Sequence, residues 1–229
     1  MTDYKVEAAK AALQLIKAGQ TIGLGAGTTV SNLVTMISLE SELWPSLVFT
    51  SSSFKTTGLL QELGLRVQFP SLLNQLDIYF DGCDQFDSEL NALKSGGGIH
   101  TTEKILASMA KEFILIGDEG KFIEKLDNKY PLVIEILPQA LQVVHSRLAS
   151  DFPDAQIKLR MSNQKDGGVI TENGNMLADV HFASVIAPEK LNTRIKMIPG
   201  IVDHSLFYRM ATKALIAGEK GVSVIIPNY

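Results

Sequence analysis

A short apolar segment, Thr21-Ile22-Gly23-Leu24-Gly25, runs without a polar break into Gly25-Ala26-Gly27-Thr28-Thr29. Val30, Leu33, Val34 and Ile37 follow at helical spacing. An apolar run of strand length, a glycine turn and a restarted 3.6 period make a strand–tight loop–helix unit. That unit constrains the chain more than any other feature, because such a helix packs back on its strand and calls for a parallel sheet. The pattern recurs. Strands are expected at Leu47–Ser51, Leu65–Phe69, Leu76–Phe80 and Phe113–Ile116, and helices at Lys55–Leu63 and Thr102–Lys111. The fold class expected is α/β, Rossmann-like, with a mostly parallel sheet covered by helices on both faces. Its ligands should gather at the carboxyl ends of the strands.

Beyond Leu126 the character changes. Leu132–Leu137 reads as a strand and Gln139–Ala149 as a helix. Short strands follow at Ile157–Met161, Gly168–Thr171 and Met176–Val180, with an Asn173-Gly174 turn signal. A smaller inserted α+β domain over 127–207 is expected, set into a Rossmann-like domain of 1–126 and 208–229. The tail Val222–Ile226 reads as a buried strand returning to the first sheet.

Composition narrows the function. Formal net charge is −4 with 20% charged residues, which disfavours nucleic acid as the main partner. The single cysteine, Cys83, permits no internal disulfide. The start lacks a signal-peptide pattern, and no stretch approaches the ~18 apolar residues of a membrane span. A soluble cytoplasmic protein without membrane association is the expectation.

Four loops carry candidate chemistry. In 25–29 the glycines and the helix start can face an anion, or the loop can be a tight turn with an N-capping threonine. Asp81-Gly82-Cys83-Asp84 follows a buried strand and suits acid–base work, helix capping or a metal. In the third loop Lys94 precedes Ser95-Gly96-Gly97-Gly98, and Glu103 stands at the next helix start. Three glycines in a row imply a close approach to that backbone. Glu103 and Lys94 can converge across it, or be a first-turn acid and an exposed lysine. His100 reads as a surface residue, and Cys83 as a small packing residue. In the fourth loop Lys121 can hold a phosphate as a point charge, or be solvated.

In order and spacing these loops resemble the ribose-5-phosphate isomerase type A family. The resemblance rests on Gly-Ala-Gly-Thr-Thr at 25–29, Ser51-Ser52-Ser53, Asp-Gly-Cys-Asp at 81–84, Lys94 with its glycines, Thr101-Thr102-Glu103-Lys104 and Lys121. Two small-domain segments, 169–175 and 198–202, add to it. It implies Glu103 as the proton-shuttling base, Asp81 and Asp84 as sugar-binding and ring-opening acids, and Lys94 as the active-site lysine. Implied substrate-binding positions are Ala26, Gly27, Thr28, Thr29, Gly82, Cys83, Ser95, Gly96, Gly97, Lys121 and Lys5. It further implies a small sugar phosphate as ligand, no metal or organic cofactor, and a homodimer or homotetramer. Ala26, Gln85, Ser95, Gly98, His100 and Asp203-His204-Ser205 depart from the family pattern. Gln85 is expected to reduce negative charge beside Asp84. The competing readings are an amino-sugar phosphate deaminase, a coenzyme A transferase and a non-catalytic sugar-phosphate-sensing module.

Overall fold

The computed structural model describes residues 3–228. The expectation about the leader at Met1-Thr2, and the outer domain bounds at Met1 and Tyr229, lie outside the described residues. The chain is an α/β fold. Its main sheet has six strands: β1 (Thr21–Leu24), β2 (Val48–Ser51), β3 (Leu76–Asp81), β6 (Ala110–Asp118), β12 (Lys213–Gly218) and β13 (Gly221–Ile225). Their order is β13-β12-β6-β3-β1-β2, parallel throughout except for the β12–β13 hairpin.

Alternation along β6 shows how the sheet is covered. Ile114 and Ile116 join Ile22, Leu24, Ile78 and Phe80 in a core with Val30, Leu33, Val34 and Ile37 of α2 (Thr28–Leu39). Phe113 and Leu115 face the other way, into a core with Tyr79, Phe207 and Leu106 of α4 (His100–Met109). Each such side chain contributes about 1.5–3 kcal/mol by leaving water. α1 (Tyr4–Leu13) packs on α2 and β6, and its N-cap Asp3 accepts the Lys5 N–H at 3.0 Å.

A four-stranded antiparallel sheet, order β10-β7-β9-β8, joins β7 (Leu132–Ile136), β8 (Gln156–Leu159), β9 (Met176–His181) and β10 (Ile201–His204). It carries α5 (Leu141–Asp151) and α6 (Pro188–Lys196). Between the two lies a small sheet of β4 (Gln85–Phe86), β5 (Ala92–Leu93) and β11 (Leu206–Phe207). The remaining helix, α3 (Phe54–Glu62), is N-capped by Ser53, whose Oγ accepts the Thr56 N–H.

Several expectations need correction. Leu65–Phe69 forms only a single bridge, Val67 to Phe49, because the chain turns into a 3-10 segment at Pro70–Leu72. Gly168–Thr171 likewise contributes isolated bridges rather than a strand. The tail does return to the first sheet, but as an exposed edge, with Val224 60% and Ile226 69% exposed. The buried strand is β12, whose Ala214, Leu215, Ile216 and Ala217 pair with β6.

Topology fixes where the site must be. From β1 the chain passes through α2 to β2 at the sheet edge, then returns across β1 to β3. The loops leaving β1 and β3 therefore depart in opposite directions and open a crevice at the carboxyl end of the sheet.

Candidate functional site

That crevice is an open cleft of about 340 Å³. Its walls are the β1–α2 loop (Ala26, Gly27, Thr28, Thr29), the β3 loop (Gly82, Cys83, Asp84), the end of β6 and its loop (Ile116, Gly117, Asp118, Lys121), and the glycine loop with its flanks (Lys94, Gly96, Gly97, Glu103). Lys5, at the start of α1, reaches the rim. The sequence-expected residues thus meet in one place, with two exceptions. Asp81 is wholly buried, and Ser95 is buried with its hydroxyl donated to the Pro131 carbonyl; neither lines the cleft. Ser95 supports the wall from behind. Ile116, Gly117 and Asp118 are cleft residues that sequence reading missed; they sit at a strand's carboxyl end, a position the fold class marks.

At the β1–α2 loop, α2 begins after Gly27 without any side-chain cap, so neither threonine plays the capping role. The first-turn amides point out unsatisfied, with the positive end of the helix dipole behind them. Gly25 is required for another reason: a Cβ there would strike the Asp81 carboxylate.

Asp81 ends β3 directly under the cleft floor. Its Oδ1 accepts the Gly82 N–H at 2.8 Å and the Ala26 N–H at 3.2 Å, and its Oδ2 accepts the Tyr79 hydroxyl at 2.6 Å. Burial, then the Asp81 charge, raises the Tyr79 pKa well above its ordinary value, so the phenol remains a donor. Oδ2 also holds Lys94 Nζ at 2.9 Å. That ammonium donates to the Gly82 carbonyl and lies 3.3 Å from Glu103 Oε1. Burial alone would lower the Lys94 pKa; Asp81 and Glu103 outweigh it and hold the ammonium above the usual lysine value.

Glu103 is 4% exposed and opens to the cleft from the first turn of α4. Burial pushes its pKa up, Lys94 opposes that, and the Asp81 charge adds to it. The result is a carboxylate poised toward neutrality beside a fixed cation, which suits a general base. Asp84 faces the same cleft, its Oδ2 held by the N–H groups of Ser95 (2.6 Å) and Gly96 (3.1 Å).

The glycine loop is gripped from the second sheet. Gly98 has φ +71°, and a Cβ there would come within 2.6 Å of Leu177. Arg160 donates to the carbonyls of Ser95 (2.8 Å) and Gly96 (3.2 Å) while anchored on Asp179. The close approach implied by the glycines is thus made by β9. Arg160 and Tyr79 are site supports that no sequence signal marked.

One expectation at the margin is corrected, and two neighbouring residues are placed. His100 is fully buried on α4, its pKa lowered by burial and by Lys104 to about 4. Gln85 is buried too, its amide donated to the Asp127 carbonyl at 3.0 Å, so it helps to fold the loop. Cys83 lines the cleft; burial raises its thiol to about 12. Among the described residues no group of three or more His, Cys, Asp or Glu is arranged to hold a metal ion, and no helix is long and apolar enough to cross a membrane.

A Rossmann-like sheet with an uncapped helix start on the cleft and a raised-pKa carboxylate against a lysine defines a class of site able to hold a small anion and to move a proton. The comparisons with known proteins agree with that class. The family description of ribose 5-phosphate isomerase A (phosphoriboisomerase A) matches residues 48–221. The chain is 34% identical over 228 residues to ribose-5-phosphate isomerase A of Prochlorococcus marinus (strain MIT 9211), covering 96% of this chain and 95% of that one. It is 36% identical to the Methanocaldococcus jannaschii protein of the same name, covering 97% of each. The solved M. jannaschii structure superposes with a TM-score of 0.90 at 34% identity over 98% of both chains. A D-ribose-5-phosphate isomerase in complex with phospho-erythronic acid superposes with 0.90 at 31% identity over 97% of both. The chain belongs to the ribose 5-phosphate isomerase A family.

Proposed function

We propose that this protein interconverts D-ribose 5-phosphate and D-ribulose 5-phosphate, an aldose–ketose step of the pentose phosphate pathway, with Glu103 as the base. The observation that carries the reading is the Lys94 ammonium 3.3 Å from a buried Glu103 on the cleft floor. The phosphate would lie at the open amides of Thr28 and Thr29, with Lys121 and Lys5 at the same end. Asp84, which faces the cleft, takes part in ring opening by proton transfer. Asp81 lies beneath the floor, so its part is to fix Lys94. Glu103 removes the proton from C2 and returns it to C1; the bonding pair left behind forms the enediolate, whose oxyanion Lys94 and the Gly97 amide stabilise. Removing one such preorganised donor typically costs about 10²–10³ in rate. The phospho-erythronic acid bound by a related isomerase is a small phosphorylated sugar acid, which supports a sugar phosphate as the ligand of this cleft. Residues 1–126 and 208–229 would form the catalytic domain and 127–207 a smaller inserted one, in a homodimer or homotetramer.

The direct test is a spectrophotometric ribose-to-ribulose phosphate assay with no added metal, with glucosamine 6-phosphate as the second substrate. Turnover of the pentose alone is the expected result. Release of ammonia from the amino sugar, or binding of ribose 5-phosphate without turnover, would overturn the proposal.

Arg160→Ala frees the carbonyl side of the glycine loop without touching the cleft floor. We expect KM for ribose 5-phosphate to rise about fivefold, with kcat changed far less, since the lost bonds order a binding wall. Steady-state kinetics read both; a fall in kcat at unchanged KM would contradict that role.

A further inference from the structure

All five residues of β7, Leu132–Ile136, are buried, and the fourth is Glu135, 1% exposed. A carboxylate in such a strand is costly unless fully bonded. Its Oε1 accepts from Thr171 Oγ1 (2.8 Å), Asn175 Nδ2 (2.8 Å) and Asn173 Nδ2 (3.3 Å), all in one hairpin. Its Oε2 accepts from the Thr101 hydroxyl, across the molecule on α4. Every one of these donors is neutral. Burial works to raise its pKa; the four donors overcome that and hold the group ionised, below the ordinary glutamate range.

Asp203 sits directly opposite Glu135 in the β7–β10 register. Two carboxylates side by side on a sheet destabilise it. Here both are turned to the same use. Asp203 takes Lys104 of α4 at 2.7 Å and Lys196 at 2.8 Å, and its carbonyl lies 3.3 Å from His100 Nε2. His100, Thr101 and Lys104 thus moor the first turns of α4 to the second sheet, while Glu103 on the remaining side meets Lys94. Nothing local does this, because α4 has no N-capping side chain.

From this geometry we infer that Glu135 is a positioning residue for catalysis: through Thr101 it sets where α4 begins, and so where the Glu103 carboxylate stands against Lys94. Glu135 does not line the cleft. A hairpin needing an acceptor would be served by Oε1 alone; the second oxygen is committed to the helix that carries the base. The inference rests on the isomerase reading of the cleft.

The test uses the full chain with Glu135→Gln, Thr101→Val, Thr101→Ser and the Glu135→Gln/Thr101→Val pair. Measured for each are kcat and KM with ribose 5-phosphate, the pH dependence of kcat, and thermal melting. Misplacing a base lowers the chemical step, so Glu135→Gln and Thr101→Val should each lower kcat about tenfold with KM within about twofold. The acid limb of the kcat profile should move, since the carboxylate leaves its present surroundings. Thr101→Ser should restore kcat, and the pair should lose little more than the worse single variant. A folded Thr101→Val with parental kcat and an unmoved acid limb would overturn the inference, as would fully additive losses. If Glu135→Gln fails to fold, Thr101→Val against Thr101→Ser decides alone. A parent chain without isomerase activity would instead bring down the functional reading, a result plainly different from an active parent with silent variants.

Discussion

Glu103→Gln is expected to abolish isomerisation by at least about a hundredfold while leaving sugar-phosphate binding in place. The amide has the shape of the carboxyl group and can still accept from Lys94, so the cleft wall is kept. What disappears is the basicity that takes the C2 proton. Stability should move in the opposite direction from activity. Burial raises the Glu103 pKa above its unfolded value, so keeping it ionised works against folding at neutral and alkaline pH. The glutamine form has no charge to bury. Its melting temperature should match or exceed the parent's at pH 8. The difference should shrink as pH falls through the raised pKa, since the parent's Glu103 then takes up a proton. Single-turnover kinetics, ligand titration and melting at pH 5 and pH 8 measure the three parts. Normal turnover by Glu103→Gln would remove the proposed base.

Lys94→Met should be the more damaging change. It leaves Asp81 and Glu103 buried without their shared cation, and breaking a buried ion pair typically costs about 3–5 kcal/mol. One carboxylate must then bind a proton to remain inside. The Glu103 pKa, already raised, climbs further, and the variant regains stability as pH falls through it, fully so below the unfolded value of the carboxyl group. Activity falls through two effects: loss of the enediolate's cationic partner, worth about 10²–10³ in kcat, and a base protonated at assay pH. Melting from pH 8 to pH 5, together with the pH–rate profile, separates them. A Lys94→Met protein of parental stability at pH 8 would contradict the charge arrangement described.

The site was more legible in the sequence than the fold's margins, for a physical reason. Glycine loops after apolar strands are local features, and the fold class places them at one sheet end whatever the tertiary detail. So Thr28, Asp84, Lys94, Glu103 and Lys121 meet as expected. What failed depended on partners far away in the chain. His100 reads as a surface residue because nothing nearby says that β10, about a hundred residues on, will cover it. Val222–Ile226 has a buried-strand composition, yet only its place at the sheet edge decides its exposure. The same holds for Asp81, one residue from the cleft lining but turned under the floor by its bonds to the Ala26 and Gly82 amides. Arg160 acts on Ser95 from sixty-five positions later and carries no motif at all.

Cys83, the chain's one thiol, stands in the cleft wall, where an inhibitor designer would first think to place an electrophilic warhead. Its pKa, raised by burial to about 12, keeps the sulfur almost wholly protonated in neutral solution, and the protonated form is a poor nucleophile. Alkylating agents and mild oxidants should therefore pass this cleft by. Compounds meant to block it will have to rely on reversible anion recognition.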